Sequence, residues 1–366
     1  MELQKLLRRS KQDAFDQLDE WAIKRSRHGK YPNLVLFKYH QLDTPMSQPV
    51  ALECRGVILD EDDNWNVVSR PYDKFWNYGD SRANPLNWDS ITVYEKMDGS
   101  LMSLYHYDGK WLVATSGSPD ASGPVNNGDK LFSDYFWDTF NRHGYRLPSQ
   151  TDLTFILELC GPLNKVVCSY SGSDIFLHGV RNRVSFEEFR PEEYAAAIGC
   201  SITPIHEIAI EDLHTFVNSR DARFHEGVII VDENFNRVKL KSDDYKTLHH
   251  IKDGSAVKKL MRSAMNGPDC DYLEAFPEWK PVFHMLRGEF MKFVAEHEIL
   301  WEKIKDKPSR RDFAIAAQQE ARFPGVLFQL LDKKIESIAA GLNVLPEKKM
   351  LQLLKLEGIS PDIIPE

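Results

Sequence analysis

With 366 residues, 42% of them hydrophobic and 11% aromatic, the chain can bury two or three domain cores, which excludes a disordered or collagen-like protein. No apolar run approaches the ~20 residues of a membrane span, and the first residues, MELQKLLRRSKQDAF, lack a signal-peptide core; a cytoplasmic protein without a membrane partner is expected. The net charge of −9 excludes a broad basic footprint, so any phosphate binding must be local, and five cysteines without a Cys-x-x-Cys pair point to a reducing compartment and away from a zinc site.

Residues 2–27 read as one amphipathic helix, with Leu3, Leu6, Leu7, Phe15, Leu18 and Trp21 at near-helical spacing, broken by Tyr31-Pro32-Asn33. Short strands are expected over 34–39, over 54–59 with Arg55 at the entry, and over 65–69. The segment Arg70-Pro-Tyr-Asp-Lys-Phe-Trp-Asn77 alternates cations with large aromatics. Its plain reading is a core edge with solvated charges, yet Arg55, Arg70 and Lys74 are the residue types a polyphosphate site needs.

Val93-Tyr-Glu-Lys-Met-Asp-Gly-Ser-Leu101 puts Lys96 between an alternating apolar run and a turn. Gly99 tolerates positive φ there and Asp98 can bond its own backbone. A lysine held at a strand end attacks an electrophile once neighbouring cations or desolvation lower its pKa; the plain alternative is an exposed lysine before a hairpin. Strands 101–107 and 110–116, joined by Asp108-Gly109, form the strongest hairpin signal in the chain. Residues 118–128 read as a loop and 129–142 as a helix.

Strand 154–159 is interrupted by Glu158, a carboxylate costly to bury without a partner. Strand 174–180, helices over 187–197 and 208–219, and strand 224–231 carrying Glu226 follow. After a turn at 232–236, strand 237–242 places Lys239 and Lys241 on one face, a repulsive pair unless they share an anion; lysines guarding an edge strand are the plain alternative. Ser242 caps a short helix over 243–250. From about 255 the pattern is helical: 281–304, 309–322 from the capping-box-like Ser309-Arg-Arg-Asp312, 325–340 and 346–356. The expected fold class is therefore α+β, with antiparallel sheets and flanking helices over 1–254 and an all-helical domain over 255–366.

One chemistry uses all these residues. Lys96 attacks the α-phosphorus of a nucleoside triphosphate, while Lys239 and Lys241 lower its pKa and stabilise charge on that phosphate. Arg55 and Lys74 hold the outer phosphates, a hard divalent cation sits on one glutamate, and the other glutamate binds ribose hydroxyls.

Lys96-Met-Asp-Gly-Ser100 resembles the nucleotidyl-lysine motif of the covalent nucleotidyltransferases, the superfamily of DNA ligases, RNA ligases and mRNA capping enzymes. Glu158 resembles its third motif, Glu226-Gly-Val its fourth and Lys239-Leu-Lys241 its fifth, in the same order. Within the superfamily the chain is most similar to the phage-type ATP-dependent RNA ligases of tRNA repair, the RNA ligase 1 group. That likeness is carried by Ala51-Leu-Glu-Cys-Arg-Gly-Val57, Ser69-Arg-Pro-Tyr-Asp-Lys-Phe-Trp-Asn77 and the stretches 95–101, 155–167 and 238–249.

The resemblance implies a nucleotidyltransferase domain followed by a helical domain without an OB-fold. It implies ATP as substrate, Mg²⁺ or Mn²⁺ as cofactor, and as partner an RNA with 3′-OH and 5′-phosphate ends, a nicked tRNA anticodon loop. A separate end-healing kinase-phosphatase is left open as a further partner, and the location becomes host cytoplasm if the chain is phage-encoded. Lys96 would be the adenylated nucleophile; Arg55 and Lys74 would meet the triphosphate, with the nucleotide-binding Tyr39 and Trp76 nearby. Glu95 and Glu158 would be nucleotide-binding, Glu158 at the ribose, and Lys239 and Lys241 would contact the α-phosphate. Phe176 would stack the adenine, and Glu226 and Asp271 would hold the metal. The helical tail would read the shape of a tRNA-like stem-loop; packing support for the first domain is the plain alternative. The chain departs from the pattern at Ser116, where relatives often carry a lysine before the Gly-Ser that closes the hairpin, leaving a phosphate contact missing or supplied elsewhere. The loop Gly267-Pro-Asp-Cys-Asp-Tyr272 also matches loosely. Two rival functions remain: DNA nick sealing or guanylyl transfer on the same fold, and a catalytically silent RNA-binding relative.

Overall fold

The computed structural model describes residues 1–40, 43–252, 256–266 and 279–356, and the chain divides into two units, Met1–Lys246 and Thr247–Glu366. The first unit opens with an antiparallel meander of β1 (Ile23–Arg27), β2 (Leu34–Tyr39), β3 (Arg55–Asp60) and β4 (Asn66–Ser69), in that spatial order. Strands β2 and β3 are almost continuously apolar because both faces are covered. Val35, Phe37, Val57 and Leu59 pack on Leu3, Leu7 and Leu18 of the amino-terminal helices, whereas Leu34, Leu36 and Ile58 pack on Tyr105 and Ala114.

The single helix expected over 2–27 is three elements. Helix Glu2–Arg9 stops at Ser10, whose extended backbone and side-chain oxygen, accepting from the Asp13 N–H, start a second helix, Lys11–Glu20. The chain then enters β1, pairing Ile23 with Tyr39 through Arg27 with Val35. An edge strand that buries Ile23 alone among polar residues carries no hydrophobic period.

Two short strands, β5 (Trp76–Asn77) and β6 (Thr92–Glu95), belong to a different sheet, completed later. Next comes the hairpin of β7 (Ser100–Tyr107) and β8 (Lys110–Thr115), turning through Asp108 and Gly109, both at positive φ. With β9 (Leu153–Cys160), β10 (Asp174–Asn182), β11 (Glu188–Phe189) and β12 (Ser201–Ile202) it forms a six-stranded sheet ordered β11-β10-β9-β7-β8, with β12 parallel to β10. Helix Phe132–Arg142 covers this sheet with Phe136 and Phe140. The helix expected over 187–197 starts only at Glu192; Glu188 and Phe189 instead pair with Arg181 and Val180.

The remaining sheet joins β5 and β6 to β13 (Ile205–His206), β14 (Gly227–Val231) and β15 (Arg237–Lys241), in the order β13-β6-β14-β15-β5. Val93, Val228, Ile230 and Val238 pack there against Leu213 and Val217. Because β6 lies in this sheet and β7 in the previous one, the chain crosses between them at residues 96–99.

The second unit is helical among its described residues. Its long helix, Lys280–Ile304, buries Phe283, Leu286, Phe290, Phe293 and Ile304. The helix expected over 325–340 is split: Pro324–Leu331 ends before Lys333 at φ 54, and Ser337 caps a new helix, Ile338–Asn343. No described helix is long and apolar enough to cross a membrane.

The ladder of the first sheet is broken by a bulge. Gly56, at φ +97, falls between the pairings Phe37↔Val57 and Lys38↔Arg55, and so sets Arg55 opposite Lys38. A Cβ on Gly56 would lie 3.1 Å from the Ser116 Cα. Gly56→Ala is therefore expected to destabilise the protein by about 1–2 kcal/mol from backbone strain alone. Urea unfolding measures this, and an unchanged midpoint would contradict it.

Candidate active site

Lys96 extends the β6–β14 ladder by one residue, its N–H donating to the Gly227 carbonyl at 2.9 Å. The turn after it is not capped by its own aspartate. Asp98 is buried and its carboxylate accepts from the N–H groups of Val167 and Cys168 at 2.7 and 2.6 Å and from the Tyr245 hydroxyl at 2.7 Å. The inward-facing carboxylate satisfies donors that would otherwise be buried without partners, and so clamps the turn to the loop after β9.

Gly99 passes so close to β9 that a Cβ would sit 2.4 Å from the Leu159 carbonyl oxygen. That approach lets the Gly99 N–H donate to Glu158 Oε1 at 3.1 Å. The other carboxylate oxygen, Oε2, accepts from His178 Nε2 at 3.0 Å. Both oxygens of the strand glutamate are thus engaged, which answers how a carboxylate is tolerated in an apolar strand.

Glu226, 3% exposed, joins two lysines: Lys96 Nζ lies 2.8 Å from its Oε2 and Lys241 Nζ 2.7 Å from its Oε1. Burial alone would lower the Lys96 ammonium pKa, but Glu226 and Glu158 outweigh it and hold the pKa above the ordinary lysine value. This corrects the expectation that Lys239 and Lys241 depress Lys96, since the charges that act on it most are carboxylates. The depressed lysine is Lys239, lowered to about 7 by burial and by the cations Lys74, Lys241, Lys96 and Arg55.

Lys96, Lys239, Lys241, Glu158 and His178 line one cavity, together with Tyr72, Phe75, Ile229 and Arg237. Arg55, Phe75, Leu101 and Lys239 also line an adjoining hollow whose other walls are Lys38, Tyr39, Lys74 and Ser116. Among the described residues four cations and no carboxylate face that hollow. Arg55 lies over Phe75 at 5.0 Å with its Nη1 buried and without a hydrogen-bond partner, and Lys74 lies between Tyr39 and Trp76 at 5.5 and 5.0 Å from the ring centres. An unpaired buried guanidinium nitrogen among lysines is a site shaped for an anion.

The sequence-expected residues Lys96, Arg55, Glu158, Lys239 and Lys241 meet in the cavity, with Tyr39 and Lys74 in the hollow beside it. Glu95 also lines the cavity, but its carboxylate is held by His206, Arg220 and His225 at 2.7, 2.5 and 3.1 Å. Phe176 does not line the cavity, although it pairs with Glu158 across β9 and β10; the residue of that strand that does is His178, beside the bulge between Leu177 and Gly179. Asp271 lies outside the described residues.

Three residues that sequence reasoning passed over, His178, Arg237 and Lys38, stand in these walls. Strand alternation from Lys239 points to Arg237, and the end of the Ile175-Phe-Leu-His178 run points to His178. Lys38 has no motif signal. Among the described residues no three His, Cys, Asp or Glu side chains gather as a metal cluster. Glu226, the expected metal ligand, spends its two oxygens on Lys96 and Lys241 and is not among the residues that line the cavity.

The model of the RNA ligase family matches residues 53–245, and the chain belongs to that family. An RNA ligase of Rhodothermus phage RM378 is 30% identical over 295 residues, covering 62% of this chain and 66% of that protein. A putative bifunctional polynucleotide kinase/RNA ligase of Autographa californica nuclear polyhedrosis virus is 26% identical over 288 residues, covering 72% of this chain and 40% of that one. The chain thus spans just under two thirds of the first relative's length and well under half of the second's. Among solved structures, an archaeal ATP-dependent RNA ligase is similar at TM-score 0.46 and 14% identity over 96% of this chain and 82% of that chain. The Naegleria gruberi RNA ligase with pyrophosphate is similar at 0.35 and 16% over 44% and 52%.

The position of Lys239 generates a pH prediction. Its amine is largely neutral above pH 7, and a bound polyphosphate favours the charged form, so binding takes up a proton between pH 7 and the ordinary lysine range. Affinity for pyrophosphate should fall as pH rises above 7. Calorimetry at pH 8 in two buffers of different ionisation enthalpy is expected to show proton uptake that Lys239→Met removes; equal heats in both buffers for the unsubstituted protein would contradict it.

Proposed function

We propose that the chain is an ATP-dependent RNA ligase. The observation that carries the reading is Lys96, fixed against Glu226 in a cavity that continues into a cation-lined hollow. Family membership supports the same reading.

In the first step the Lys96 amine forms an N–P bond to the α-phosphorus of ATP while the bond to the bridging oxygen breaks and pyrophosphate leaves. The AMP then passes to a 5′-phosphate oxygen of RNA, which returns the lysine. A 3′-hydroxyl attacks the activated phosphorus, a phosphodiester forms and AMP departs. Lys96 must be unprotonated to begin, and whatever draws the Glu226 carboxylate away removes the charge that holds its proton.

In this reading Lys239 and Lys241 face the α-phosphate, and Arg55, Lys74 and Tyr39 receive the outer phosphates. Glu158, oriented by His178 and the Gly99 N–H, meets the ribose hydroxyls. A divalent cation, Mg²⁺ or Mn²⁺, would be held by Glu226 and would neutralise phosphate charge when bound. Glu95, tied to two histidines and an arginine, supports the strand beside Lys96 and is given no direct nucleotide contact. The finer reading is repair of a nicked tRNA anticodon loop, with the helical unit contacting RNA and a separate kinase-phosphatase preparing the ends. It rests on the resemblance, and the viral relative's name, which joins a kinase to a ligase, supports that pairing.

The test is incubation with α-labelled ATP or GTP and Mg²⁺, followed by peptide mapping. Acid-labile label from ATP on the Lys96 peptide, absent in a folded Lys96→Ala variant, is expected. Label from GTP, or label retained by the variant, would overturn the assignment.

A further inference from the structure

Three cations stand in one row across the first sheet. The antiparallel register sets Lys24 of β1 opposite Lys38 of β2, and the Gly56 bulge sets Lys38 opposite Arg55 of β3. Directly opposed side chains leave the same face of a sheet, and like charges so placed repel. The row runs from exposed Lys24, through half-buried Lys38, to Arg55 in the cavity wall. Neither Lys38 nor Arg55 forms an ion pair among the described residues. Burial, then Lys24 and Arg55, push the Lys38 ammonium below its ordinary pKa, and no acid offsets them.

Lys38 also has a definite address. Its Nζ lies 3.4 Å from the Ser116 Oγ and 3.3 Å from where a Cβ of Gly117 would be. It therefore reaches, from β2 of the first sheet, the residues that follow β8 in the six-stranded sheet. With Lys74 and Lys239 it faces the hollow beside the Lys96 cavity. A half-buried amine surrounded by cations is unfavourable in isolation, and an anion carrying several charges removes the conflict.

We propose that Lys38 is a ligand for the terminal phosphates of the nucleotide, delivered from β2 to the hairpin position that Ser116 leaves without a cation. The inference rests on the reading of the cavity as an ATP site. Ser116 then turns its hydroxyl to orient the ammonium. Lys38 acts on the pyrophosphate half of the substrate, so its contribution appears with ATP and pyrophosphate and is absent with AMP.

The experiment uses the full chain, Lys38→Ala, and the double variant Lys38→Ala/Ser116→Lys. Pyrophosphate and AMP binding are measured by calorimetry, and adenylation as a function of ATP concentration. Loss of one charge-assisted contact is expected to weaken pyrophosphate about tenfold and raise KM for ATP by a similar factor, while AMP affinity stays within about twofold. Ser116→Lys should recover most of the loss by restoring the charge at the same place. Unchanged pyrophosphate affinity in Lys38→Ala, an equal loss of AMP affinity, or no recovery in the double variant would overturn the proposal. If the unsubstituted chain takes no label from ATP, the nucleotide reading itself fails, and the pyrophosphate comparison still judges Lys38 separately.

Discussion

The Glu226 carboxylate, buried and shared between Lys96 and Lys241, is the interaction on which the site depends. Leaving a buried charge unpaired costs about 3–5 kcal/mol, so the three groups must arrive together. They do so through register. Strand β14 pairs Val228 with Glu95 on one side and Gly227 with Lys241 on the other, and the Lys96 N–H bonds to Gly227. A slip of one residue in either pairing would turn the lysines to the opposite face. The apolar residues between them, Val228, Ile230, Val238 and Leu240, make such a slip expensive because it would also empty the core below.

Around that centre the charges are sorted. Asp98, Glu158 and Glu226 are each satisfied by two or more donors, so the acidic side chains nearest Lys96 are already committed to fixed geometry. The cations of the adjoining hollow have few such commitments: Arg55 keeps an unpartnered nitrogen, and Lys239 is depressed by its neighbours. A chain of net charge −9 thereby builds a local positive well. Low-dielectric walls such as Phe75 and Leu101 concentrate its field, which favours a compact polyanion over scattered surface binding.

Much of this is legible in the sequence where one strong local rule operates. The Asp108-Gly109 hairpin, the lone Glu158 in an apolar strand and the Lys239-Leu-Lys241 alternation each follow from turn chemistry or the two-residue period. What stays hidden depends on partners distant in sequence. Strand β1 is polar and edge-like, so its pairing to β2 leaves no periodic trace. The bulge in β10 leaves His178, and not Phe176, in the cavity wall, and no single residue announces it. Turn chemistry alone has Asp98 capping its own turn, whereas its acceptor capacity goes to residues 167 and 168 and to Tyr245. Lys38 becomes visible only when the Gly56 bulge puts it beside Arg55 and Ser116. The direction of the Lys96 shift is not legible either, because it turns on distances to carboxylates and not on a count of nearby lysines.

The most direct test of the shared carboxylate is the titration of the Lys96 side chain, followed by NMR of isotope-labelled lysine in the unsubstituted protein and in a folded Glu226→Gln variant. If Glu226 holds the proton on Lys96, the unsubstituted lysine titrates above the ordinary range and the variant's titrates distinctly lower. Coincident titration in the two proteins would contradict the central role given to Glu226.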